Sequence, residues 1–193
     1  ISSFDYKNSK GEKLDNLLSG NYNFIGLGFK LPFFVDNLSL ATGLTYNQYG
    51  ASGSELAYFY KWDLTYLGAN VGFEYDVWHA SDFFNKRNGF VKDREGLKFF
   101  LKAAFSGEFL VRGTQQINAE AYNLVGAEQF DAPYFFVRGG GGMRYGFSED
   151  IGIFIQYLYG RSLPLISSSD DNEELNLIIH QFGLGVLIGL NHK

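Results

Sequence analysis

The stretch from Leu97 to Arg112 alternates almost without error. Leu97, Phe99, Leu101, Ala103, Phe105, Gly107, Phe109 and Val111 are apolar or glycine, while Lys98, Lys102, Glu108 and Arg112 hold the charge at the positions between. Successive side chains of a strand point to opposite faces, so this is a ribbon with one greasy face and one mixed polar face. It is longer than most globular strands. Its length suits a tilted strand crossing a bilayer, which needs about 9–11 residues in hydrocarbon.

The pattern recurs along the chain. Ile25, Leu27, Phe29 and Leu31 alternate with Gly26, Gly28 and Lys30 within Tyr22–Phe33. After a reversal expected at Val35–Asn37 come Leu38, Leu40, Leu44 and Tyr46. Leu67, Ala69, Val71, Phe73 and Tyr75 follow within Tyr58–Tyr75. Further strands are expected at Tyr134–Phe147, Ile151–Arg161 and about Asn176–Leu190, with a weak one at Ile1–Lys7. Single-chain bacterial barrels have an even strand number, so the seven clear strands and the weak one predict eight. Connections alternate in length. Val35–Asn37 and Ser148–Asp150 are short, whereas Asn8–Gly20, Gly50–Ser54, Gly113–Ala132 and Ser167–Glu174 read as the longer loops of the opposite end. Trp78–Gly96 breaks the rule. The expected fold is all-β: one domain over residues 1–193, an eight-stranded antiparallel up-and-down transmembrane β-barrel. Ile1–Lys7 would close it against the last strand, and both termini would lie in the periplasm of an outer membrane.

Composition narrows the alternatives. No run of eighteen apolar residues exists to make a transmembrane helix. The mean hydropathy of -0.12 is compatible with a membrane barrel, because alternation hides the apolar face. There is no cysteine, which excludes disulfides and Cys-ligated metals, and a net charge of -5 argues against nucleic acid. A soluble lipocalin-like barrel would place its bulky residues inside. Here one face is mostly Gly, Ala, Ser, Asn, Lys, Arg and Glu, too small and too charged to line a greasy pocket. Tyr22, Tyr46, Tyr49, Tyr157 and Tyr159 near one end, and Tyr75, Trp78 and Tyr145 near the other, predict aromatic belts at the two headgroup levels. Ile1-Ser2-Ser3-Phe4 reads as the interior of a mature chain whose signal peptide has gone.

An eight-stranded barrel leaves an interior just wide enough for side chains. Parity places Lys30, Glu74, Lys98, Lys102, Glu108, Arg138, Arg144, Gln156 and Gln181 there. Buried charges must pair, so an internal plug is expected, with Glu74 on Lys98 or Lys102 and Glu108 on Arg138. A channel would need a water path past these groups. A lipid-modifying enzyme would need a nucleophile, a His and an acid at one rim. His79 beside Ser81 lies in a connection, His192 in the tail, and His180 reads as a packing residue in the last strand. Asp170, Asp171, Glu173 and Glu174 lack the spacing and turn glycine of a calcium loop, so no metal or cofactor is expected. Ala103, Gly107, Gly139 and Gly141 form a lipid-facing stripe of small residues, read either as relief of crowding and bending in a tight barrel or as a place where a partner can approach closely. Ser81–Glu95, with Phe83, Phe84 and Phe90 among mixed charges, offers a second candidate contact for other envelope proteins.

The run Tyr134-Phe-Phe-Val-Arg-Gly-Gly-Gly-Gly-Met-Arg-Tyr-Gly-Phe147, followed by Ser-Glu-Asp-Ile-Gly-Ile-Phe-Ile-Gln-Tyr157, resembles the small outer-membrane β-barrel proteins of Bacteroidota called PorT-like. So does Gln181-Phe-Gly-Leu-Gly-Val-Leu-Ile-Gly189. The resemblance implies a barrel surrounded by outer-membrane lipid, some of whose relatives serve secretion and gliding machinery. With no catalytic constellation at a rim, the expected role is a non-catalytic scaffold or accessory subunit of a larger envelope complex, in secretion, assembly or uptake, with a lipid-modifying enzyme or a small channel as the alternatives. Members commonly begin with a fuller first strand and end on an aromatic. This chain ends Leu190-Asn-His-Lys193, and its short first strand implies residues before Ile1.

Overall fold

The computed structural model describes residues 1–7, 18–55, 58–79, 96–126, 132–148, 150–163 and 174–190. Its strands are β1 (Ser2–Lys7), β2 (Leu18–Ser19), β3 (Phe24–Phe33), β4 (Val35–Glu55), β5 (Tyr58–His79), β6 (Gly96–Ile117), β7 (Glu120–Asn123), β8 (Tyr134–Gly146), β9 (Ile151–Leu163) and β10 (Glu174–Ile188). All ladders are antiparallel, in the order β1-β10-β9-β8-β6-β5-β4-β2, with β3 also on β4 and β7 on β6. Since β2 and β3 share one partner and β7 is a side branch, the wall has eight strands. The first strand meets the last, Ser2 opposite Ile179. Ser2 and Gly20 then exchange both backbone hydrogen bonds at 3.0 Å, joining β1 to the second wall strand. The fold is an eight-stranded antiparallel up-and-down barrel.

Parity decides what each wall residue faces. Leu67, Val71, Phe73 and Tyr75 of β5 are exposed on the outside, while Gly68, Gly72 and Glu74 between them are buried. β6, β8 and β9 repeat this. The outward apolar stretch runs from Leu38 to Tyr46 on β4, Leu67 to Tyr75 on β5 and Ile151 to Tyr159 on β9. Each matches the ~9–11 residues a tilted strand needs to cross hydrocarbon. Tyr46 and Tyr159 face outward at one edge of that band, and Tyr75, Trp78 and Tyr145 at the other.

Three local expectations are corrected. The reversal after β3 centres on Phe34, which takes φ 46°, and Val35 already opens β4. Gly50–Ser54 is not a loop but the end of β4, and Gly113–Ile117 continues β6. Glycine and serine read as turn residues, yet a Cβ at Gly50 would run into the Tyr22 ring and the Trp62 carbonyl, so glycine is there for close packing. Finally, Tyr49 is not in an aromatic belt. It shares the inward parity of Asn47 and Ala51 and is 2% exposed inside the barrel. As a result β4, β5 and β6 project well past β8 and β9 at the end remote from the short turns, since β8 leaves β6 at Glu108.

Candidate functional site

The lumen holds two charge clusters at different heights. Nearer the short turns, Glu74 Oε1 on β5 accepts from Lys30 Nζ on β3 and from Arg144 Nη1 on β8, both at 2.6 Å. The second Arg144 nitrogen pairs with Asp76, which also lies 3.8 Å from Lys30 Nζ. The guanidinium carbon stands 5.9 Å from the centre of the Phe100 ring. The expected Glu74 pairing is therefore corrected. Lys102 lies directly across the ladder from Glu74, yet the carboxylate takes its cations from strands beyond its nearest neighbours. Lys98 sits opposite Arg144 in the β6–β8 register. Lumen side chains project toward the barrel axis, so a residue one strand further round can be closer than the one alongside.

The second cluster is more enclosed. Glu108 is wholly buried, and Arg138 Nη2 meets its Oε1 at 2.5 Å. The same carboxylate accepts from the Tyr49 hydroxyl at 2.8 Å, Asn47 Nδ2 at 3.0 Å and Ser106 Oγ at 3.2 Å. Arg138 also donates to the Tyr49 hydroxyl at 2.9 Å and to Ser106 Oγ. Gln181 Nε2 reaches Asn47 Oδ1 at 3.4 Å, tying the last strand to the cluster. A buried ion pair holds only when further hydrogen bonds satisfy its remaining groups, and Glu108 has them. Asn47, Tyr49, Ser106 and Asp76 were missing from the sequence reading of the site. Strand parity could have found them: Ser106 shares a face with Glu108 on β6, Asp76 with Glu74 on β5, and Asn47 and Tyr49 lie on the face of β4 opposite Leu44 and Tyr46.

Above this cluster, toward the long-strand end, the interior turns apolar. Tyr49, Leu64, Tyr66, Leu124, Phe136, Leu177 and Ile179 form a buried core, with Trp62, Leu110 and Tyr134 packed on it. Tyr49 packs against both Tyr66 and Phe136, at ring-centre distances of 5.7 and 5.8 Å. This cap was not anticipated from the sequence, because bulky residues were assigned to the outer wall alone. It is possible where the strands extend beyond the outer apolar band: there the outside can be polar and the inside can pack.

The stripe of small residues is less open than expected. Ala103 pairs with Gly139 in the β6–β8 ladder, and a Cβ on Gly139 would meet nothing within 4 Å. Gly107, however, is covered by the Phe135 ring, which stacks on Phe105. A Cβ on Gly141 would come within 2.7 Å of the Phe100 carbonyl. Only Ala103 and Gly139 form a shallow spot, flanked by exposed aromatic and aliphatic side chains. Phe83, Phe84 and Phe90 lie outside the described residues. His180 faces outward, its Nδ1 2.8 Å from the Tyr157 hydroxyl. It shares an outer-wall depression with Ser3 and Ser19, and no carboxylate lines that depression among the described residues. No cluster of potential metal ligands occurs among them either.

An antiparallel wall whose ends meet at Ser2 and Gly20, with an apolar exterior and a polar, ion-paired interior, defines a transmembrane β-barrel of the outer-membrane class. No protein-family model and no curated protein matches the chain. Among solved structures it is similar to Ail, the attachment invasion locus protein of Yersinia pestis. A crystal structure of Ail is 11% identical, with 97% of this chain and 91% of that one covered and a TM-score of 0.38. Ail in complex with the heparin analogue sucrose octasulfate gives 15% identity, 97% and 92% coverage and a TM-score of 0.36. Overlays at that level do not define a fold, which rests here on the ladders themselves.

Proposed function

We propose that the protein is a plugged outer-membrane barrel serving as a non-catalytic scaffold or accessory subunit of a larger envelope complex, in secretion, assembly or uptake. The observation behind this reading is the filled interior. Two interlocked charge clusters and an apolar cap occupy the lumen in series, so the barrel spends its interior on rigidity. What remains for function is the outer wall and the two rims. The short turns at Phe34 and Ser148–Asp150 would face the periplasm together with the termini, and the projecting β4–β6 sheet would face outward, as short and long connections divide in such barrels. Likeness of the glycine-rich β8–β9 region to PorT-like barrels supports an accessory role. The enzyme alternative has a specific point to meet: His180 has a Tyr157 hydroxyl as its ring partner on the outer wall, not a serine–carboxylate pair at a rim.

Reconstitution of the purified protein in planar bilayers tests the plug, with no steady conductance expected. Gentle extraction from native membranes, followed by identification of co-purifying proteins, tests the subunit role. Ohmic conductance would revive the channel. Recovery as a lone monomer would end the scaffold reading.

A further inference from the structure

The lower charge cluster carries more cation than its carboxylates neutralise. Lys30 and Arg144 both take Oε1 of Glu74 at 2.6 Å, and the same two cations share Asp76. Those four groups balance. Lys102 is left over. It shares the inward parity of Ser106 and Glu108 on β6 and lies directly across the ladder from Glu74. Among the described residues its ammonium has neither an ion pair nor a hydrogen bond. A lone charge inside a barrel is costly unless a counter-charge meets it.

The surroundings suit a small counter-ion. The inward positions next to Lys102 are Phe100 and Ala104 on its own strand, Gly72 and Glu74 on β5, and Gly140 and Gly142 on β8. Apart from Phe100 and Glu74 these end at hydrogen or methyl, so the wall beside the ammonium is uncrowded. Access is one-sided. Side-chain exposure falls from 27% at Lys30 and 13% at Arg144 to 7% at Arg138 and none at Glu108. The lower cluster is therefore reached from the short-turn mouth and sealed above by the Glu108–Arg138 pair and the apolar cap.

We propose that Lys102 holds a small monovalent anion of the halide class in the lumen, with Lys30 and Arg144 adding attraction from behind Glu74. One such ion brings the cluster of Lys30, Lys102, Arg144, Glu74 and Asp76 to neutrality. A phosphate or sulfate dianion would overshoot it, placing two negative charges beside two carboxylates. A halide also needs no directional acceptor geometry, so one ammonium on a glycine-lined wall can hold it. The ion is a fixed counter-charge that completes the plug. Ohmic conductance in bilayers would end the plug reading without deciding whether an anion sits at Lys102.

The test is the urea unfolding midpoint of the purified protein in detergent micelles, as sodium bromide replaces sodium gluconate at constant ionic strength. The midpoint should rise with bromide. A bromide concentration about tenfold above the dissociation constant would lower the unfolding equilibrium constant about elevenfold. Lys102→Met and Lys102→Gln should be at least as stable as the parent in gluconate, because the lone charge is gone, and should not respond to bromide. Lys61→Met, on an exposed pair, should respond as the parent does. Bromide-soaked crystals of the parent should give an anomalous peak beside Lys102 Nζ. No bromide response in the parent would mean that the amine stays neutral and binds no ion. A response retained in both Lys102 variants would place the ion elsewhere. Both variants proving less stable than the parent in gluconate would mean that Lys102 already has its counter-charge within the protein. Each of these three overturns the proposal.

Discussion

Arg138→Met isolates what the upper cluster contributes. Glu108 has no exposed side-chain area and Arg138 has 7%, so neither charge can recover hydration when its partner goes. In Arg138→Met the carboxylate keeps the neutral donors Tyr49, Asn47 and Ser106 but loses its counter-charge. Breaking a buried pair from one side costs about 3–5 kcal/mol. Glu108→Gln, which leaves the cation buried, should cost a similar ~3 kcal/mol or more. The double variant Glu108→Gln/Arg138→Met leaves no lone charge. Gln still offers an acceptor to Tyr49, so only about 1–2 kcal/mol should be lost, close to the value of one or two neutral hydrogen bonds. The two single costs should therefore exceed the double by at least ~3 kcal/mol. Urea unfolding in detergent micelles, followed through Trp62 and Trp78 fluorescence, measures all three. Lys61→Met is the control: its 2.9 Å pair with Asp63 is 44% and 47% exposed, and should be worth under ~1 kcal/mol. Additive losses, or an Arg138→Met cost no larger than that of Lys61→Met, would refute the argument that this pair is desolvated and interlocked.

Other perturbations probe the cap, the wall and the outer rim. Phe136 is fully buried, so Phe136→Ala should destabilise by about 3–5 kcal/mol in the same assay, whereas lipid-facing Phe105→Ala should cost much less. Gly139→Ala should assemble normally because its Cβ meets open space. Gly140→Ala should reduce the heat-modifiable folded band on electrophoresis, since its Cβ runs into the Tyr157 carbonyl and touches Leu158 Cα. Burial, with the nearby Asp63 carboxylate second, pushes the Tyr22 hydroxyl above its ordinary pKa. Its contribution is then complete below the unfolded tyrosine value near ~10 and disappears as pH rises through the higher folded value. Tyr22→Phe should thus flatten part of the alkaline loss of stability, and a stability–pH curve unchanged by this substitution would contradict that.

The barrel was legible because its strongest signal is local. Alternation at Leu97–Arg112 assigns the inner and outer face of β6 with no knowledge of its neighbours, and the long and short connections give the topology. The errors came where one residue type serves two purposes. Gly50 and Gly113 look like loop glycines, but they sit in extended strands where neighbouring side chains press on the backbone. Tyr49 looks like an interfacial tyrosine, but it lies three positions after Tyr46, an odd step that turns it inward. Glu108 pairs with Arg138 as expected, but the Glu74 pairing failed for a different reason. Sequence and register supply the ladder neighbour of Glu74, which is Lys102, but not the depth to which Lys30 and Arg144 reach across a narrow lumen.

The same geometry explains why charge and bulk are layered inside. Within the height of the outer apolar band, every second residue is committed to lipid, and the narrow interior holds mostly glycine, alanine and a few long polar chains, with Phe100, Phe154 and Leu158 filling gaps beside the glycines. There the residues that fill it best are arginine, lysine and glutamate, whose stems take up space while their heads neutralise one another. Where β4, β5 and β6 rise past that band, the outside no longer needs to be greasy. Leu64, Tyr66, Phe136, Leu177 and Ile179 can then face inward and pack as in a soluble protein. Glu108 and Arg138 lie at the boundary between the two regimes. Tyr49 spans it, its hydroxyl on the ion pair and its ring against Tyr66 and Phe136. Loosening the cap should therefore also loosen the pair beneath it. A Phe136→Ala/Arg138→Met double variant should lose less than the sum of its single costs, because either change alone already frees Tyr49. Strictly additive losses would show that the cap and the charge cluster stand independently.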